Sequence, residues 1–379
     1  MLQWKTRMGF ISNFLQKRPD ALGFFLSYFW RTSIRGQGYS RDDGFSTPPP
    51  VVTLALTDYC NLNCKMCPFQ RSDIEKKHLD FDLIKKLIDQ ICTFKPYISL
   101  CGRGEPFLHP NFFEIISYVK SKGLWCAVDT NGTLIGQNVD QLLNSKIDLV
   151  NVSIDSVGEI QDRIRGVPGA FQRATDGIRA LRAKSGRLKP MLRINCVITG
   201  HSADHLEEVY ETARDLGVDM LNLCHSFYVR TERMMRAQEK ISQCLPQPRE
   251  KISWDTVDVD AGSIDYEKLS RTIDKLRKKD EGVIVTVLPN LDSSDKIRKY
   301  YDFKGFVEKR DAKCAWRHTN VYPNGDVEMC DGLYPMGNLN ESDFLSIWNN
   351  DNFRKFRKQL KGLKRFPICS ACCRYYHYS

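Results

Sequence analysis

Short runs of Val, Ile and Leu alternate along residues 51–223 with longer segments whose apolar residues recur at helical spacing. Such short runs are typical of buried strands, and a period near 3.6 residues is typical of helices packed on a sheet. The predicted strands are residues 51–57, 97–101, 125–129, 149–154, 192–198 and 220–223. The predicted helices are residues 81–91, 111–119, 139–143, 171–183 and 203–216. This alternation predicts an α/β protein in which six parallel strands curl into a partial (β/α)6 barrel, with the functional site in the loops after the strands.

Beyond the sixth strand the pattern becomes less regular. Residues 228–262 are polar and are interpreted as an insertion. The elements predicted after it are a helix at 265–279, a strand at 283–288, hairpin strands at 319–322 and 327–329 joined through Asn324-Gly325, and a helix at 344–360. We therefore predict three parts: an N-terminal amphipathic helical segment (1–45), a barrel (46–290) and a small cysteine-rich α+β domain (291–379).

The N-terminal segment contains apolar residues at 10–15 and 22–28 that predict two short amphipathic helices separated near Pro19. Basic residues flank both helices, which makes peripheral membrane contact one interpretation. Packing on the barrel or at a subunit interface is the favoured alternative. The longest apolar stretch, residues 21–30, is too short to span a bilayer.

The net charge of +10 favours an anionic substrate, a nucleic acid or an acidic membrane surface as partner. Nucleic acid is not expected, because no compact run of Lys and Arg is interleaved with aromatic residues. No secretory signal is recognised, so a cytoplasmic location is expected.

The 14 cysteines are numerous for a chain expected to stay in a reducing compartment, which favours metal binding over disulfides. Cys60, Cys64 and Cys67 form a CxxxCxxC motif directly after the first predicted strand. Three thiolates suit an iron–sulfur cluster with one iron left open to an external ligand. A closed zinc site is the alternative, but it needs a fourth protein ligand, and no further Cys or His lies nearby at a usual spacing.

A CxxxCxxC motif after the first strand of a βα pattern resembles the signature of the radical S-adenosylmethionine (SAM) superfamily. The resemblance implies that the three cysteines hold a [4Fe–4S] cluster whose fourth iron binds the amino and carboxylate groups of SAM. Reductive cleavage of SAM then yields a 5′-deoxyadenosyl radical that abstracts a substrate hydrogen atom. The family also implies a flavodoxin- or ferredoxin-type electron donor, and it places Met66 near the adenine.

Further positions resemble the family's SAM-binding segments. Gly102-Arg103-Gly104-Glu105-Pro106 is similar to its GGEP motif, with Arg103 in place of the first glycine. The positions that the resemblance assigns to SAM are Gly104, Glu105 and Pro106 for the amino group, Asn131 after the third strand, Ser153 and Asp155 near the ribose, and Arg165 for the carboxylate.

The C-terminal cysteines, with the predicted hairpin between the first two, resemble the SPASM extension or its shorter twitch form. The resemblance implies one auxiliary [4Fe–4S] cluster bound by Cys314, Cys330, Cys369 and Cys372. Cys373 could replace Cys372, and a four-cysteine zinc site remains an alternative.

In relatives, auxiliary clusters support oxidation of the substrate or its epimerisation. The expected substrate is a small carbohydrate-like or other biosynthetic metabolite, anionic or membrane-derived, with peptide or protein modification as the alternative. Cys224 and His225, at the end of the sixth strand, and Asp331, after Cys330, are the candidate catalytic thiol and bases. A non-catalytic zinc or iron–sulfur binding protein is the rival of another class.

Overall fold

The computed structural model describes residues 39–185, 190–227, 231–243, 245–247, 252, 257–279, 281–303, 305–330 and 333–378. The two predicted N-terminal helices and Asp331 lie outside these ranges. Membrane contact through the N-terminal segment therefore stays a prediction. None of the helices within the described ranges is long and apolar enough to cross a bilayer.

Ten strands form one continuous sheet in the order β10-β9-β8-β1-β2-β3-β4-β5-β6-β7. The strands are β1 (Val51–Leu54), β2 (Tyr97–Leu100), β3 (Trp125–Thr130), β4 (Leu149–Ser153), β5 (Met191–Ile198), β6 (Met220–His225), β7 (Ile284–Leu288), β8 (His318–Val321), β9 (Asp326–Met329) and β10 (Tyr334–Asn338). All neighbours from β8 through β1 to β7 are parallel, while β9 runs antiparallel to both β8 and β10. The predicted parallel α/β barrel and C-terminal hairpin are confirmed.

The α-helices of the described ranges are α1 (Phe81–Ile91), α2 (Phe112–Ser121), α3 (Val139–Asn144), α4 (Gly158–Arg165), α5 (Ala170–Ser185), α6 (Leu206–Asp215), α7 (Glu232–Ser242), α8 (Tyr266–Lys278), α9 (Ser294–Tyr301), α10 (Phe344–Trp348), α11 (Asp351–Leu363) and α12 (Cys373–Tyr378). Helix α1 shows why the pattern was readable. The Asp80 carboxylate accepts a hydrogen bond from the Leu83 amide at its N-terminus, and its apolar face is buried.

Three of the differences between the predicted and the observed elements have a clear physical reason. The polar segment predicted as irregular contains α7, which begins after the cap residue Thr231. The single helix predicted at 344–360 is two helices, because the Asn350 side chain caps a new helix by accepting from the Phe353 amide. Strand β10 was missed, since Pro335 and Gly337 weaken the strand pattern and mark an irregularity in its pairing.

The topology places the two cysteine groups at opposite ends of the sheet. Cys60 follows the carboxyl end of β1, whereas Cys314 precedes the amino end of the parallel neighbour β8, in which His318 pairs with Val51. Cys330 follows the antiparallel strand β9 and so returns to the same end as Cys314. The barrel interior lies between the two ends.

Candidate active site

A cavity of about 710 Å³ occupies the barrel interior. Its wall includes the thiol-bearing residues Cys60, Cys64 and Cys67 and also the C-terminal residues Arg374 and His377. The cavity therefore extends from the first cysteine group to the C-terminal region. Its volume is in the range of small-molecule and cofactor sites.

The loop after β1 brings the three cysteines of the first motif together. All three are partly exposed, and burial together with the neighbouring Cys64 and Cys67 thiols and Glu105 raises the pKa of Cys60 to about 12. Arg165 Nη1 donates to Cys64 Sγ over 3.8 Å. No three Cys, His, Asp or Glu side chains of the described ranges converge on a single metal ion. In a [4Fe–4S] cluster each thiolate binds a different iron, so three cysteines around one pocket fit the cluster.

The loop after β2 is fastened to the cysteine loop. The Glu105 amide donates to the Tyr59 carbonyl over 2.8 Å. Only glycine fits at position 104, because a Cβ there would lie 2.2 Å from the Tyr59 carbonyl oxygen. The fold thus holds the Gly104-Glu105-Pro106 segment beside Cys60, as the resemblance implied, although the SAM contacts themselves stay predictions.

Glu105 is the buried carboxyl of this segment. It accepts hydrogen bonds from the Thr130 hydroxyl (2.6 Å) and from the amides of Asn131 (2.8 Å) and Phe107 (3.3 Å). Burial outweighs these hydrogen bonds and raises its pKa to about 7. Near neutral pH this carboxyl is partly ionised, and its ionised form can pair with an ammonium group.

Arg103, which replaces the family glycine, has a structural partner that sequence reasoning missed. Its Nε donates to Asp58 Oδ1 over 2.8 Å, and both side chains are buried. The guanidinium also lies over the ring of Tyr322, 4.9 Å from its centre. The available signal in the sequence was the acidic residue of the Asp-Tyr-Cys run in the first loop, since a buried arginine needs a carboxylate partner.

The remaining predicted SAM positions fall into two groups. Met66, Asn131, Ser153 and Arg165 line the cavity. Asp155 does not line it but forms a buried ion pair of 2.6 Å with Arg165 Nη2. We interpret Asp155 as a residue that orients Arg165 and not as a direct contact to the cofactor.

The second cysteine group gathers around Cys314. Electrostatic interaction joins Cys314 to Cys372, and Cys369 to both, while Cys330 arrives from the end of β9. Cys373 instead lines the cavity. The donor set of four thiols fits a second cluster, and this placement supports Cys372 over Cys373 as the fourth ligand, which remains a proposal.

Cys224 and His225, the candidates on β6, point in opposite directions because adjacent residues of a strand face opposite sides of the sheet. Cys224 lines the cavity, and Asn222 Nδ2 donates to its sulfur over 3.0 Å. His225 is fully buried outside the cavity, where Nδ1 shares a hydrogen bond with the Tyr301 hydroxyl over 3.2 Å and burial lowers its pKa to about 3. Its predicted place at the substrate mouth is therefore corrected.

Three polar residues inside β5 to β7, Asn195, Asn222 and Thr286, were not predicted as site residues. Thr286 donates to Asn222 Oδ1 over 2.7 Å, and Asn222 donates to Asn195 Oδ1 over 3.1 Å. These side chains form a hydrogen-bonded row across three strands, and its middle member, Asn222, also donates to the Cys224 sulfur. The signal was available in the sequence, since Arg193 and Asn195 alternate with apolar residues in β5.

The sequence itself matches two family profiles that coincide with these two ends of the cavity. Residues 54–216 match the radical SAM superfamily, and residues 313–373 match SPASM, an iron–sulfur cluster-binding domain. The fold and site therefore define an enzyme that uses SAM and iron–sulfur clusters. The chain belongs to the radical SAM superfamily and carries a SPASM domain. Its cofactors are SAM and two [4Fe–4S] clusters, so the zinc alternative is set aside.

Three curated relatives have names that describe different activities. The pre-heme d1 synthase of Dinoroseobacter shibae is 31% identical over 51% of this chain, which covers 47% of that protein. The AdoMet-dependent heme synthase of Methanosarcina barkeri is 28% identical over 86% of this chain and 91% of its own length. The PqqA peptide cyclase of Xanthomonas campestris is 25% identical over 86% of this chain and 80% of its own length.

A solved structure shares the fold. The crystal structure of Streptococcus suis SuiB bound to S-adenosylmethionine superposes with a TM-score of 0.61 at 14% identity, covering 83% of this chain and 68% of SuiB. This likeness confirms the fold.

Proposed function

We propose that this enzyme oxidises or epimerises a small biosynthetic metabolite inside the barrel. The observation that carries the proposal is the single cavity that reaches from the Cys60 loop to Arg374 near the auxiliary cysteines, with Cys224 in its wall. A molecule in that cavity lies between the two cofactor-binding ends of the sheet. When bound, the first cluster and SAM supply the radical that removes a hydrogen atom from the substrate.

In the epimerisation branch, Cys224 donates a hydrogen atom to the opposite face of the substrate carbon. This role requires an intact S–H bond, and burial raises the pKa of Cys224 to about 12, so the thiol stays protonated at neutral pH. The hydrogen bond from Asn222 occupies a sulfur lone pair and leaves the S–H free to turn toward the cavity. One electron from a flavodoxin- or ferredoxin-type donor, delivered through the auxiliary cluster, and one proton would restore the thiol.

In the oxidation branch, the substrate radical gives one electron to the auxiliary cluster and one proton to a base. Asp129 is a half-buried carboxyl that lines the cavity, and burial raises its pKa, which makes it a suitable proton acceptor. Cys224 is not consumed in this branch. The two branches therefore differ in their need for Cys224.

Peptide modification is the second candidate function, and likeness to the PqqA peptide cyclase favours it. The heme synthase relatives favour a tetrapyrrole as another small-molecule substrate. A peptide would have to place one side chain into the cavity while its backbone stays at the mouth. A small molecule would enter completely.

Anaerobic reconstitution followed by iron and sulfide counting tests the proposal. We expect about eight iron atoms per chain and formation of 5′-deoxyadenosine after reduction in the presence of SAM. Cys64→Ala serves as the matched variant and is expected to lose about four irons and all 5′-deoxyadenosine. Wild-type protein that holds its iron but never cleaves SAM would refute the proposed function.

The two branches are then separated with candidate metabolites in deuterium oxide. Epimerisation incorporates one solvent deuterium at carbon through the exchangeable Cys224 thiol, whereas oxidation yields a product two hydrogens lighter. A short peptide that is modified while no metabolite reacts would select the second candidate function.

A further inference from the structure

Among the buried polar atoms of the cavity wall that form no hydrogen bond within the described residues, two lie side by side on neighbouring strands. They are Arg193 Nε on β5 and Asn151 Oδ1 on β4. The two residues are paired in register across the parallel strands, so their side chains are neighbours about 5 Å apart. Buried polar groups are nearly always satisfied, which points to a ligand at this place.

Arg193 lines the cavity but forms no hydrogen bond or ion pair with any part of the chain that the structure describes. Asp129 attracts it electrostatically, yet Asp129 instead accepts a hydrogen bond from Asn151 Nδ2. By contrast, Arg103 and Arg165, the other arginines near the SAM-binding loops, each have a carboxylate partner. Arg193 is therefore available to an anion inside the barrel.

The position of this pair separates it from the SAM-binding segments. Arg193 and Asn151 lie one inward-facing residue before Asn195 and Ser153 along their strands, which places them deeper in the barrel than the SAM-facing end. Arg374, on α12, lines the same cavity from the C-terminal end and donates to Asn320 Oδ1 over 3.0 Å. A second cation therefore faces the space that the substrate would fill.

We infer that Arg193 and Asn151 form a substrate-anchoring site for a carboxylate that carries a neighbouring hydroxyl or amino group. The carboxylate accepts from the Arg193 guanidinium, whose planar fork matches its two oxygens. The neighbouring hydroxyl or amine donates to Asn151 Oδ1. This inference rests on the proposed function and narrows its substrate class to hydroxy- or amino-carboxylates.

Equilibrium dialysis of the reconstituted holoenzyme with SAM tests the anchor. The probes are three hydroxycarboxylates (glycerate, gluconate and glucuronate), each compared with an uncharged counterpart (glycerol, glucitol and glucose). At least one carboxylate is expected to be retained, and its counterpart to be retained at least about tenfold less. Arg193→Met is expected to weaken retention of that carboxylate by at least about tenfold, and Arg193→Lys by less, because lysine keeps the charge but not the fork.

Arg179→Met is the matched control, because Arg179 lies exposed on α5 and pairs with Asp176. It is expected to retain the carboxylate as wild type does. Should Arg193→Met fail to fold, phenylglyoxal labelling of wild-type protein replaces it, and the bound carboxylate is expected to protect Arg193 from modification. Retention of no carboxylate, equal retention by Arg193→Met, or labelling of Arg193 that the carboxylate does not slow would each overturn the assignment. If wild-type protein forms 5′-deoxyadenosine but retains no carboxylate, only the anchoring site is refuted. If it forms no 5′-deoxyadenosine, the proposed function itself is refuted.

Discussion

Asp58 and Arg103 form a buried ion pair, with Oδ1 and Nε 2.8 Å apart and side chains only 2% and 1% exposed. Asp58 lies two residues before Cys60, and Arg103 directly precedes Gly104. The pair therefore joins the cysteine loop to the segment predicted to bind the SAM amino group, and Tyr322 covers it from the C-terminal hairpin.

Replacing Asp58 by Ala is expected to destabilise the holoenzyme by about 3–5 kcal/mol, because it leaves the buried guanidinium without a counter-charge. Anaerobic urea denaturation measures the change. Asp176→Ala, which breaks an exposed pair on α5, is the control and is expected to leave the midpoint nearly unchanged. An equal shift of the denaturation midpoint in both variants would show that the buried Asp58–Arg103 pair stabilises the protein no more than the exposed pair does.

SAM affinity is expected to rise between pH 6 and pH 7.5. Burial raises the pKa of Glu105 to about 7, so the carboxyl is mostly protonated at pH 6 and gains its negative charge across this window. The ionised form attracts the SAM ammonium group, so the dissociation constant should fall by up to about tenfold as pH rises. Isothermal titration with the reconstituted protein measures it. Glu105→Gln should bind SAM more weakly at pH 7.5 and with little pH dependence; an unchanged pH profile in this variant would assign the dependence to another group.

The fourth ligand of the auxiliary cluster can be identified by comparing two adjacent cysteines. Cys372 interacts with Cys314 and Cys369, whereas Cys373 lines the cavity. Cys372→Ala is expected to lose the auxiliary cluster and about four of about eight irons, while Cys373→Ala keeps them. Iron counting and the electron paramagnetic resonance spectrum of the reduced protein provide the readouts. The reverse result would make Cys373 the ligand.

Cys224 is expected to react slowly with iodoacetamide. Burial raises its pKa to about 12, so its thiolate fraction, and with it the alkylation rate, should increase about tenfold per pH unit from pH 7 to 9.5 without a plateau. Free N-acetylcysteine, measured in parallel, should level off as the pH passes its ordinary thiol pKa. Peptide mass spectrometry follows the site. A plateau for Cys224 below pH 9 would mean that it is a reactive thiolate and a poor hydrogen-atom donor.

Much of the scaffold followed from the sequence because its signals are local. Buried β-branched runs predicted β1 to β7, and Asn324-Gly325 predicted the hairpin of β8 and β9. It was harder to predict which side of the sheet a single side chain faces. Cys224 and His225 were treated alike, although a register fixed by long-range pairing sends them to opposite sides of the sheet.

The sequence predicts the parts of the site that lie within one contiguous motif. It does not predict the parts that the fold brings together from distant segments. The CxxxCxxC and Gly-Glu-Pro segments each lie within one loop. The Asp58–Arg103 pair spans 45 residues of sequence, and Asn151 meets Arg193 only after β4 and β5 align. Such contacts depend on the pairing of strands that lie far apart in sequence, which no local pattern encodes.

The pairing of β8 with β1 has a consequence for any attempt to isolate the barrel. A chain shortened to end before the SPASM domain would leave the backbone donors and acceptors of β1 open along one side. Exposed strands of this kind recruit other chains, so the shortened protein should self-associate instead of yielding a compact catalytic unit. The same pairing joins the two strands that lead to the cysteine groups, so the length of these short strands sets the distance that an electron must cross between the two ends of the barrel.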